Sequence, residues 1–143
     1  MLAGTGLSLA GMAAGSYVAV GQGNDEPACT LIGCAGGVQV TLRQMPAQAA
    51  RVRLCVNRHC GKATRIYRTG PTYLHSRVPR EARRAGARVR VRVVLLDREG
   101  RVLATIARRP RVTRFTPNGD GCPPTCFGAG FDVRGRGGRF TVS

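Results

Sequence analysis

The chain reads as all-β, an immunoglobulin-like antiparallel β-sandwich of 7–9 short strands, and three observations carry that reading. Short segments alternate apolar and polar residues, the period of a strand with one face buried and one in water. Gly, Pro, Asn and Asp cluster between those segments at the spacing that turns require. Six cysteines fall in three close pairs, as expected where a small domain is stapled covalently. No internal repeat, heptad pattern or long linker points elsewhere.

The first strand spans Val38 to Arg43. Val52-Arg53-Leu54-Cys55-Val56 repeats the alternation, Asn57-Arg58-His59 supplies a turn, and Ala63 to Arg68 returns. Cys55 and Cys60 then face each other across a hairpin. Gly70-Pro71 opens a further turn, Thr72 to Val78 fits a strand, and Pro79 to Ala85 fits one helical turn or a loop. Next, Arg88, Arg90 and Arg92 alternate with Val89, Val91 and Val93 and run into Val94-Leu95-Leu96. Asp97-Arg98-Glu99-Gly100 turns this strand into Arg101 to Ala107, a second hairpin. Arg111 to Thr116 is a further strand, and Pro117 to Gly121 is turn-rich. Gly130 to Val133 and Arg139 to Val142 close the chain as a hairpin around Arg134-Gly135-Arg136-Gly137-Gly138.

Residues 1–23 read as a signal peptide or membrane anchor, 24–36 as a short mature N-terminal segment, and 37–143 as the sandwich domain. Met1 to Val20 carries no charge, small residues stand at Ala19 and Gly21, and Asp25 and Glu26 follow, which suits a translocated end although no Lys or Arg precedes the apolar run. The expected location is therefore secreted or at the cell surface, with a membrane-anchored extracellular domain as the alternative. Compartment decides the sulfur chemistry. In an exported chain, proximity pairs Cys29 with Cys34, Cys55 with Cys60 and Cys122 with Cys126 as local disulfides, while a distant partner for Cys29 is the foremost alternative. In a retained chain, Cys29, Cys34, Cys55, Cys60 and His59 become candidate zinc ligands, although their spacing is wide and both pairs would have to converge.

Twenty-three basic residues against seven acidic ones give a formal charge of +16, and Lys62 is the only lysine. A GC-rich genome supplies arginine for reasons unrelated to binding, yet the sign still draws anionic polymers or lipid head groups. Arg88, Arg90 and Arg92 project from one face of their strand, and Arg51 and Arg53 extend it into a basic stripe if their strand lies alongside with the same facing. Such an outward face is also what an antiparallel sheet commonly solvates. Nucleic acid as a specific partner is disfavoured: there is no Trp, and only Tyr67 and Tyr73 offer stacking platforms.

A membrane contact arises only if the N-terminal segment is retained. Catalytic chemistry needs convergent groups, and the seven carboxylates with His59 and His75 show no such spacing. The expected protein is a non-enzymatic binding module without a cofactor. Two alternatives stand beside it: a zinc-stabilised nucleic-acid-binding protein, and a small secreted enzyme whose groups converge only in the fold.

At Cys55-Val56-Asn57-Arg58-His59-Cys60 and Pro117-Asn118-Gly119-Asp120-Gly121-Cys122-Pro123-Pro124-Thr125-Cys126, the chain resembles small secreted or membrane-tethered actinobacterial proteins of uncharacterised function. Val56 stands where many such proteins carry an aromatic residue, and Phe127 where they often carry Tyr or Trp. The resemblance implies export and a strand-rich fold, and carries no activity.

Overall fold

The computed structural model describes residues 29, 33, 34 and 36–143, so the expected leader at 1–23 lies outside the described residues. Among the described residues ten strands form two sheets, with β1 at Gly37–Arg43, β2 at Arg51–Val56, β3 at His59–Cys60, β4 at Thr64–Arg65 and β5 at Thr72–Ser76. They continue with β6 at Val91–Leu96, β7 at Val102–Arg108, β8 at Thr113–Phe115, β9 at Cys126–Arg136 and β10 at Arg139–Val142. The first sheet has the order β10-β9-β1-β5, with β8 also on β9; the second has the order β3-β2-β6-β7, with β4 also on β2. Arg80–Ala82 makes a single 3-10 turn, the helical option for that stretch. The expected β-sandwich is thus what the chain forms.

Alternation in the sequence becomes facing in the fold. Val38, Val40 and Leu42 of β1, Leu74 of β5 and Val133 of β9 are buried on the inner side of the first sheet. Opposite them lie Val52, Leu54 and Val56 of β2, Val91, Val93 and Leu95 of β6, and Ile106 of β7, all in the same core cluster. Each such side chain contributes about 1.5–3 kcal/mol by leaving water.

The hairpins hold, with shifted limits. β2 and β3 pair Cys55 with Cys60, but the return strand extends only over β3 and β4 rather than from Ala63 to Arg68. Asn57 takes the left-handed conformation at φ 53° that a tight turn requires. Its backbone N–H donates to Arg90 O at 2.7 Å, and its side-chain Oδ1 accepts from Arg90 N at 3.0 Å. Asn57 thus meets Arg90 with its side chain in place of its backbone carbonyl, and β6 begins at Val91 rather than Arg88. β6 and β7 form the second hairpin, with a bulge that sets Val102 against Leu96 and leaves Leu103 as the extra residue. In the terminal hairpin β9 runs on to Arg136, and Gly137 and Gly138, at φ 54° and 76°, make the turn.

Two expectations are corrected. The sandwich is antiparallel except for β1 and β9, which run parallel with Gly37 facing Gly128 and Leu42 facing Val133. The local pairs Cys29/Cys34 and Cys122/Cys126 do not form: the bridges are Cys29–Cys122 and Cys34–Cys126, with Cα separations of 5.5 and 5.8 Å, while Cys55–Cys60 is local as expected. The parallel pairing explains the exchange. It sets the start of β1 beside the start of β9, which brings Cys34 close to Cys126, and the two bridges span sequence separations of 93 and 92.

Candidate functional site

The second sheet turns a basic face to water. Inward burial of Val52, Leu54 and Val56 forces Arg51, Arg53 and Cys55 to the outer side of β2. Burial of Val91, Val93 and Leu95 does the same for Arg92, Val94 and Leu96 of β6. β2 and β6 are direct antiparallel neighbours, with Arg51 opposite Leu96, Arg53 opposite Val94 and Cys55 opposite Arg92. Arg53 and Arg92 are consequently diagonal neighbours, about 7–8 Å apart between backbones. Val89 is fully buried, so the alternation continues backward and keeps the exposed Arg88 and Arg90 on the outer side.

The five sequence-selected arginines therefore share one face, in a diagonal stripe running from Arg51 and Arg53 on β2 to Arg92, Arg90 and Arg88 on and before β6. A sixth was missed: Arg65 of β4 sits directly opposite Arg51. The hairpin was the available signal, but the interruption between β3 and β4 shifts its register, so counting back from Cys55 and Cys60 does not pair these residues.

Electrostatically the stripe is uncompensated. The outward positions of β2, β6 and β7 contain no carboxylate. Among the described residues, ion pairs join Arg43 to Asp132 and Arg101 to Asp97 and Glu99, and none involves a stripe arginine. Arg51 and Arg88 each donate to one backbone carbonyl, of Arg98 and Arg109, both at 3.1 Å. The Nε of Arg92 is buried without a hydrogen-bond partner among the described residues. Guanidinium groups held this way keep most of their donor fork for phosphate, sulfate or carboxylate.

Other arginines serve the scaffold. Arg68 donates to the carbonyls of Pro46, Ala47 and Ala49 at 2.9, 2.6 and 2.6 Å, closing the loop between β1 and β2. Arg101 grips Asp97 at the β6–β7 turn through its backbone N–H to Oδ1 at 2.8 Å and its Nε to Oδ2 at 2.6 Å. Burial opposes ionisation of Asp97, but the Arg101 hydrogen bonds and charge outweigh it and hold the carboxyl below the usual carboxylate range.

Cys29 and Cys34 are bridged to the approach to β9, and Cys55 and Cys60 to each other on the second sheet, so the four thiols of the zinc set are spent in separate bridges. His59 and Glu81 line two adjoining depressions, one with Arg58 and the other with Arg77 and Arg80, yet no hydrogen bond or ion pair joins them. His75 places Nε2 at 3.1 Å from Gly36 O. Among the described residues no helix is long and apolar enough to cross a membrane. Compared with family models, curated proteins and solved structures, the chain matches nothing.

Proposed function

We propose that the chain is an exported, disulfide-stabilised β-sandwich that works at the cell surface as a non-enzymatic binding module, its basic face turned to an anionic polymer or lipid head groups. The observation that carries the reading is the stripe of Arg51, Arg53, Arg88, Arg90 and Arg92 on one sheet face whose outward positions have no carboxylate. Disulfides persist in oxidising compartments, and three of them in a chain with a charge-free apolar N-terminus support export. The test is retention on an anionic polymer at increasing ionic strength, paired with peptide mapping without reductant. Binding that falls steeply with salt is the expected result, as for any contact made by counterion displacement. Salt-independent retention, or reduced cysteines in protein recovered from the medium, would overturn it.

A further inference from the structure

The sandwich is open along one side, where the edge strand β5 of the first sheet meets β4 of the second and the link that precedes it. A cleft of about 420 Å³ lies there, lined by Lys62, Arg65, Tyr67, Tyr73 and His75 among others. Leu54 and Leu74, both 7% exposed, belong to its buried side, whereas Tyr67 and Tyr73 remain 64% and 73% exposed at its rim. Tyr67 is positioned from the backbone: its N–H donates to Thr72 Oγ1 at 2.9 Å, fastening the segment after β4 to the start of β5. Tyr73 points outward because Thr72 and Leu74 on either side of it are buried.

This cleft is continuous with the basic stripe. Arg65 lines the cleft and also stands opposite Arg51, so cations lead from the outer face of the second sheet around its edge to the tyrosines. Exposing two tyrosines beside two cations forgoes the burial that aromatic side chains ordinarily seek. An aromatic ring offers its electron-rich face to the polarised C–H groups on one side of a sugar ring, and the hydroxyls of Thr64 and Ser76 in the same lining suit sugar hydroxyls. A nucleic acid would call for a row of stacking platforms or for side-chain amides on base edges, and the lining contains no Asn or Gln.

The geometry points to an acidic polysaccharide as the partner, with one sugar seated against Tyr67 and Tyr73 and its neighbouring sulfate or carboxylate groups along Lys62, Arg65, Arg51 and Arg53. This inference rests on the anionic-partner reading above and narrows it to a polymer class and a seat.

Three tyrosines and no tryptophan make intrinsic fluorescence a direct reporter, since two of the three line the cleft and Tyr17 belongs to the N-terminal segment. Heparin titrated into the oxidised domain is expected to change tyrosine emission, and neutral dextran is expected to leave it unchanged. By calorimetry, the Tyr67→Ala/Tyr73→Ala variant is expected to bind heparin about tenfold more weakly or worse, the loss of two aromatic contacts. Lys62→Ala/Arg65→Ala provides a second route to the same weakening without touching the rings.

Wild-type affinity in both variants would overturn the seat while leaving the stripe's anionic reading intact. Absence of binding to heparin, anionic vesicles and single-stranded oligonucleotide alike at low salt would overturn both. Tyrosine-dependent binding to the oligonucleotide or the vesicles that is tighter than to heparin would overturn the polysaccharide.

Discussion

The two sheets of this sandwich are made from the same arginine-rich composition and differ in the carboxylates set among it. On the first sheet, Arg43 is paired with Asp132 at 3.7 Å, and Gln39, Thr41, Tyr73, Arg134, Arg136 and Arg139 share the outward side. On the second, Arg51 and Arg53 face water, with the half-buried Arg92 beside them and no carboxylate among the outward positions of their neighbours. Covalent anchoring follows the reverse division. Both long-range bridges tie the N-terminal segment to the approach and start of β9 in the first sheet, while the second carries only the local Cys55–Cys60 link. The difference separates composition from arrangement: both outer faces carry arginine, but only the first sets a carboxylate, Asp132, among them.

The largest expected effect comes from breaking the anchoring of the first sheet. In the chain-entropy picture, the first long bridge to close contributes about 4–5 kcal/mol. The second then closes only the small ring between them and adds about 3 kcal/mol. Cys55–Cys60, closing a hairpin, contributes about 2 kcal/mol. Replacing Cys29, Cys34, Cys122 and Cys126 together by Ser is therefore expected to cost about 7 kcal/mol in urea unfolding, comparable to the whole stability of many domains. Replacing Cys55 and Cys60 is expected to cost about a third of that. Equal losses from the two sets would erase the contrast.

That contrast was only half legible in the sequence. Val38 to Arg43 and Val91 to Leu96 announced themselves because each has one face in the core and one in water, and the arginine stripe followed from the same alternation. The parallel pairing of β1 with β9 left no local trace, since it joins residues far apart along the chain. The glycine-rich start of β9 concealed it further: a Cβ on Gly130 would lie 2.5 Å from Gln39 O, so close approach of the two strands removes the side chain that would have shown alternation. With that pairing hidden, proximity misassigned two of the three bridges. The cleft was hidden for a related reason, because its tyrosines project from segments that meet only where two different sheets open.

A second test moves charge between the faces. Arg51→Ser/Arg53→Ser is expected to weaken binding to an anionic polymer by about 2 kcal/mol, roughly thirtyfold, on the scale of about 1 kcal/mol for each arginine near a charged surface. The salt dependence is expected to become shallower as well, since fewer counterions are displaced. Arg43→Ser/Arg134→Ser on the first sheet is expected to change affinity less, because one of the two, Arg43, already has Asp132 as a partner. Equal weakening by the two pairs, read by calorimetry at fixed ionic strength, would mean that net charge alone attracts the polymer and that the faces do not differ.

The smallest effect concerns the one place where the second sheet does hold carboxylates, the β6–β7 turn. Asp97 accepts two hydrogen bonds from Arg101, and the folded state holds its carboxyl below the ordinary value of 3.8. A group whose pKa is lowered by folding stabilises the fold fully at pH above its unfolded value, and the contribution disappears as pH falls through the lower folded value. Wild type is therefore expected to be more stable than Asp97→Asn from neutral pH down to about 4, the upper edge of this titration. Below that, the gap narrows as Asp97 takes up its proton. Polymer binding through the stripe, which contains no carboxylate, is expected to stay constant over the upper part of this range for a sulfated probe. Urea unfolding of both proteins across the acid limb reads the first expectation. A gap that stays constant with pH would show that Arg101 holds Asp97 by shape rather than by charge, and the turn would then contribute nothing to the electrostatic contrast between the sheets.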